Sequence, residues 1–148
     1  MVESTPIVAF DQHAASVVAA VLLPGQRTPA LHALGADLGT ISRFVERLQL
    51  AEVRCCYEAG PCGYGLQRQL EGLGHACVVV APSLIPSKPG DRVKTDRRDA
   101  LSLAKLHRAG EFTAVWVPDA AHEAMRDLVR ARATAVRVLG KARQHLQG

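Results

Sequence analysis

The stretch VRCCYEAGPCGYGLQRQLEGLGHACVVV, residues 53–80, decides the fold. Residues 53–57 make a short strand-like run that ends on the acid Glu58. Gly60 and Pro61 then break the chain, residues 63–73 read as a helix, and residues 76–80 are small and β-branched, the texture of a buried parallel strand. Strand, helix and strand in that order predict a crossover unit with two parallel strands.

Upstream, residues 7–10 are apolar and end on Asp11, and residues 16–23 are apolar and β-branched up to the turn at Pro24 and Gly25. Residues 27–34 are expected to add a third strand and complete an antiparallel meander. Residues 38–50 place apolar side chains at 38, 41, 44, 45 and 48, a helical period. Downstream, residues 82–94 hold three prolines and a glycine among several charges and read as a long loop, of a kind that often carries function. Thr95 or Asp96 is placed to cap a helix running to about residue 109. Residues 112–117 are a strand candidate stopped by Pro118. Asp119 then caps a long final helix, with a heptad-like seam through Met125, Leu128, Ala135, Leu139, Ala142 and Leu146. The expected architecture is α/β: a mixed sheet with helices on its faces over residues 1–118, and a helical, coiled-coil-like connector beginning in 119–148.

Composition bounds the function. A chain of 148 residues with 48% hydrophobic and 22% charged residues suits one globular core and excludes a disordered tail, a collagen repeat or a disulfide scaffold. Its apolar runs fall short of the roughly 20 residues that cross a bilayer, and its first residues lack the basic start of an export signal. No membrane association is expected, and a cytoplasmic location is. The four cysteines, at 55, 56, 62 and 77, have no zinc-ligand spacing; Cys55 and Cys77 read as small buried hydrophobes. Charge is unevenly spread: residues 1–80 hold 5 Lys+Arg against 7 Asp+Glu, and residues 81–148 hold 13 against 7. That asymmetry fits either a polyanionic partner or a solvated basic helix face.

The acids carry the chemistry. Asp11 and Glu58 stand at the ends of strand-like runs, and Asp96 and Asp99 are three apart at a helix start. Helical residues three apart lie about 60° apart around the axis, so both carboxylates face one side and Arg97 and Arg98 point elsewhere. In open α/β sheets ligands gather beyond the carboxyl ends of the strands. Four acids converging there repel one another, divalent cations relieve that repulsion, and oxygen ligands favour Mg²⁺ or Mn²⁺. Singly, each acid has a plainer reading: a turn residue at Asp11, a surface charge at Glu58, complements to the helix dipole at Asp96 and Asp99. One shared metal site explains all four together.

At this point the motifs resemble a known family. YEAGPCGYGL at 57–66 resembles the second acidic motif of the DEDD-type insertion-sequence transposases, the IS-one-ten group. The stretch from VAPSLIP at 80–86 through KTDRRDA at 94–100 resembles the third, and VWVP at 115–118 and RDL at 126–128 extend the match over nearly the whole chain. The resemblance implies a RuvC-like, RNase H-type fold in which Asp11, Glu58, Asp96 and Asp99 bind divalent metal for phosphoryl transfer on DNA. In the first motif His13 fits a D-x-H-K pattern, whereas Ala14 stands where a lysine is expected. It further implies a structured guide RNA and a second, carboxyl-terminal domain supplying a serine nucleophile. On that reading the chain is an amino-terminal part that does not complete strand exchange alone.

Around these acids, Lys88, Arg92, Lys94, Arg97 and Arg98 are expected to contact nucleic-acid phosphates. Gly60, Gly63 and Gly65 are assigned to a tight turn, Tyr64 to base stacking or packing, His13 to a solvated or structural role with a place near the metals as its alternative, and Trp116 to the core. The final helix is expected to pair with a second copy. Two alternatives remain open: a self-sufficient Holliday-junction resolvase, and a non-catalytic nucleic-acid-binding module. An actin-like or sugar-kinase ATPase would need a glycine-rich phosphate loop after the first strand, and residues 11–16 contain no glycine.

Overall fold

A computed structural model describes residues 5–85 and 95–147. The elements are β1 (Ile7–Gln12), β2 (Ser16–Leu22), β3 (Ala30–Gly35), α1 (Leu38–Arg47), β4 (Arg54–Glu58), α2 (Gly65–Gly72), β5 (Cys77–Val80), a 3-10 turn (Pro82–Leu84), α3 (Asp96–Ala109) and α4 (Ala120–Gln147). The sheet order is β3-β2-β1-β4-β5. β1 pairs antiparallel with β2 and parallel with β4; β2–β3 is antiparallel and β4–β5 parallel. This is the expected mixed α/β sheet, consistent with an RNase H-like fold, and it is followed by a long carboxyl-terminal helix.

Alternation along the strands gives the sheet two buried faces. Ile7, Ala9, Ala20, Leu22 and Cys56 form one core cluster with Ala100, Leu103 and Ala104 of α3. Four of these eight residues are alanines, so the helix axis approaches the strands closely. Val8, Phe10, Cys55, Tyr57 and Val79 alternate with that set and are equally buried. Helices α1 and α2 cover this second face with Ile41, Phe44, Val45, Leu66 and Leu70.

Caps begin the helices. Asp37 accepts from Thr40 N at 2.8 Å ahead of α1, and Thr95 Oγ1 accepts from Arg98 N at 3.3 Å ahead of α3. Gly110 ends α3 at φ 71°, the left-handed cap that glycine adopts without a side-chain clash. Cys55 and Cys77 are register partners across β4 and β5 and are buried as expected; Cys56 is buried too, and Cys62 is exposed. Burial pushes the Cys55 thiol up to about 12.

Three expectations need correction. The third strand starts at Ala30, not at 27, because Pro29 has no N–H to give a ladder. Residues 112–117 form no strand among the described residues. They make a single bridge between Val80 and Ala114, with Val115 N donating to Val79 O at 2.9 Å, while Phe112 stacks on His107. Trp116 is not in the core: it is 67% exposed and meets His122 edge-on at 5.4 Å.

The chain divides after Val115 into two compact units. The second is dominated by α4, which Asp119 caps by accepting from His122 N at 2.8 Å. No α4 residue is buried. Among the described residues no helix is long and apolar enough to cross a membrane.

Candidate metal centre

Asp11 closes the buried part of β1 on the face that carries α3, since it alternates with Ile7 and Ala9. The β1–β4 register runs from Ile7 opposite Arg54 to Phe10 opposite Tyr57. Asp11 and Glu58 each stand one residue beyond that paired segment, and Glu58 shares a face of β4 with Cys56. Helix α3 packs on β1, β2 and β4 through Ala100, Leu103 and Ala104, and its first turn presents Asp96 and Asp99. The two ends of the expected acidic set thus meet through a sheet register and a helix packed across it.

Oxygens of Asp11 and Asp96 and a ring nitrogen of His13 lie within 4.8 Å of one another. His13 Nε2 is 3.2 Å from Asp11 Oδ2 and 3.2 Å from Asp96 Oδ1. An ionised carboxylate only accepts, so the Nε2–H donates into the gap between the two acids. Asp11 is 7% exposed, whereas the Asp96 and His13 side chains are about half exposed. Burial holds the Asp11 carboxyl above its usual range; His13 opposes that shift, and the charges of Asp96 and Asp99 add to it. His13 is raised in turn, chiefly by its hydrogen bond to Asp11. Asp99 is half-buried and close enough for its charge to be felt at Asp11, yet neither it nor Glu58 joins the three-residue group.

The sequence leaves His13 between a structural role and a place near the metal acids, and the structure sets it between two of those acids. The signal was its spacing: residues two apart along an extended strand return to one face. A tight reversal, with His13 N donating to Ser16 O at 2.9 Å, then holds the residue there. Arg97 and Arg98 are exposed on the first turn of α3. Lys88, Arg92 and Lys94 lie outside the described residues.

The donor set suits a hard divalent cation. Its two carboxylates, Asp11 and Asp96, are oxygen ligands of the kind Mg²⁺ and Mn²⁺ take, and Asp99 adds to the same negative field, while His13 serves as the hydrogen-bond donor between the acids and not as a ligand.

Comparison with known proteins agrees with this chemistry. Residues 8–148 match the profile of the IS110-type DEDD transposases, described as a transposase family. A protein of Sinorhizobium fredii, named "Putative transposase y4qE", is 72% identical over 113 residues, covering 75% of this chain and 29% of that protein. The "Transposase for insertion sequence element IS1533" of Leptospira borgpetersenii is 42% identical over 109 residues, covering 72% of this chain and 32% of its own. The chain spans about a third of the length of the curated relatives it matches.

Proposed function

The chain belongs to the IS110-type DEDD transposase family, and from that premise we propose that its first unit is the metal-dependent catalytic domain for DNA strand cleavage and exchange when an insertion sequence moves. The observation that supports this most is the meeting of Asp11 and Asp96, from a strand end and a helix start 85 positions apart, within 4.8 Å of each other and of His13. Asp11, Glu58, Asp96 and Asp99 are the proposed ligands of Mg²⁺ or Mn²⁺. When bound, such an ion activates the attacking oxygen and stabilises the leaving oxygen of phosphoryl transfer.

The protein's own groups do the rest. Asp11, fixed by the sheet, sets the position of the site, and Asp96 and Asp99 on α3 complete it from the solvent side. His13 donates between Asp11 and Asp96 and keeps the two acids together against their repulsion. Arg97 and Arg98, with Lys88, Arg92 and Lys94, are the proposed contacts to DNA phosphates beside the acids. The wider reading adds a structured guide RNA, self-association through the alanine-rich seam of α4, a serine nucleophile from a second domain, and action in the cytoplasm.

Thermal unfolding with added Mn²⁺ or Mg²⁺ tests the site. An ion that binds only the folded state raises the melting temperature, with about 2.7 kcal/mol expected at a hundred times its dissociation constant. Asp96→Asn is expected to remove most of that rise, and a rise that persists unchanged in the variant overturns Asp96 as a ligand. A junction-cleavage assay on residues 1–148 separates the readings, since only a self-sufficient resolvase cuts.

A further inference from the structure

Helix α4 carries an apolar seam and a row of basic residues on different faces, with Arg132 and Arg143 beside the seam. At about 100° per residue, Leu128, Ala131, Ala135, Val138, Leu139 and Ala142 fall on one side. Arg126, Arg130, Arg137 and Lys141 fall within about 60° of one another on the far side, and all four are exposed. Their spacing of 4, 7 and 4 residues makes a row roughly 22 Å long at 1.5 Å per residue.

The row is not what an isolated helix prefers. Arg137 and Lys141 are like charges four apart with no acid within a turn of either, an arrangement that weakens a helix, whereas Arg126 and Arg130 each have an acid three residues back, Glu123 and Asp127. The acids of α4, Glu123 and Asp127, are confined to its first two turns. From Leu128 to Gln147 there are 5 Lys+Arg and no Asp or Glu. The helix dipole favours cations only in the last turn and gives Arg130 and Arg137 no such support. Arg137 Nη2 donates to Thr134 Oγ1 at 3.2 Å, one turn back along the same side. A polyanion laid along the row turns this repulsion into attraction, and 22 Å of duplex axis carries about six phosphates per strand.

We propose that Arg126, Arg130, Arg137 and Lys141 grip the phosphodiester backbone of duplex DNA, giving the second unit a nucleic-acid contact of its own. This rests on the reading of the chain as a DNA transposase. It places the apolar seam and most of the phosphate contact on different faces of one helix, with Arg130 at the border, where it also lines the groove made by Ala131, Ala135, Val138, Leu139 and Ala142.

The test uses the 148-residue chain and a fluorescent 30-base-pair duplex, with anisotropy titrations between 50 and 200 mM KCl. R130Q/R137Q removes two charges from the row, and R132Q/R143Q removes two from the other side; glutamine keeps helix propensity in both. For the row variant the slope of log affinity against log salt is expected to fall by about 2, with binding at 100 mM salt weaker by on the order of 10-fold or more. The off-row variant is expected to change binding less than about threefold. Ellipticity at 222 nm checks that α4 persists, and R126Q/K141Q gives the same expected result if the first row variant fails to fold. Equal losses from the two sides, or an unchanged slope in the row variants, overturn the proposal while leaving the DNA reading intact. A wild-type chain that does not bind the duplex overturns both, and tighter, row-dependent binding of a duplex RNA of equal length overturns the assignment to DNA.

Discussion

Helices α3 and α4 begin alike and end in different company. Each starts behind a side-chain cap, Thr95 for one and Asp119 for the other, and each is rich in alanine, leucine and arginine. Yet α3 buries Ala100, Leu103, Ala104 and His107, and the 28 residues of α4 bury none. Local rules suffice to write both helices. What separates them is a sheet face shaped by small residues, which makes α3 part of a core and thereby fixes where Asp96 and Asp99 stand. In α4 the same local chemistry leaves both faces exposed.

The sharpest contrast is expected from matched leucines. Leu103→Ala removes a side chain that is 2% exposed and is expected to destabilise the first unit by about 2–5 kcal/mol in urea melts. Leu139→Ala, at a position 51% exposed, is expected to move that same transition by less than about 0.5 kcal/mol. Equal effects would break the comparison.

His107 sharpens it by pH. The residue is 3% exposed, stacks on Phe112 at 5.8 Å, and has a buried Nε2 with no hydrogen-bond partner among the described residues. Burial, with Arg54 adding to it, holds its pKa down at about 4. The unfolded chain therefore takes the proton first. Stability is full above the ordinary histidine value near 6.5 and is lost as pH falls towards 4, by up to about 3 kcal/mol. His107→Leu is expected to flatten that loss, measured as urea midpoints at pH 7, 5.5 and 4.5, with the ellipticity of α4 unaffected.

The caps give the smallest effect. Thr95→Ala is expected to cost the first unit about 1 kcal/mol. Asp119→Ala loses a cap of the same kind, but the loss is expected to show as reduced helicity at 222 nm, with the first unit's midpoint in place.

Much of the fold was legible because its signals are local. The apolar runs ending on Asp11 and Glu58, the glycine-proline break after β4 and the caps at Thr95 and Asp119 each state their own structure. The errors fell where a neighbour decides. Pro29 delays β3 because a ladder needs an N–H, and residues 112–117 stay irregular because they meet β5 at one bridge only. Trp116 was assigned to the core by its size alone, although nothing beside it in sequence says what would cover it. In the site, the pairing of Asp96 with Asp99 follows from helical spacing. The approach of Asp96 to Asp11 does not, because it depends on Ala100 and Ala104 seating α3 on Ala9 and Ala20. His13 carries a weaker signal, because a single histidine past a strand end has no period and only its two-residue step from Asp11 ties it to the acids.

The cysteines described in the sheet have a practical consequence. Three sulfurs sit behind closed strands, with the pair on β4 and β5 facing each other, while Cys62 alone meets solvent. An alkylating reagent therefore finds one thiol on an intact molecule and four once the strands part. The native chain carries its own clock for opening of the β-sheet, readable by mass spectrometry without a label or a substitution.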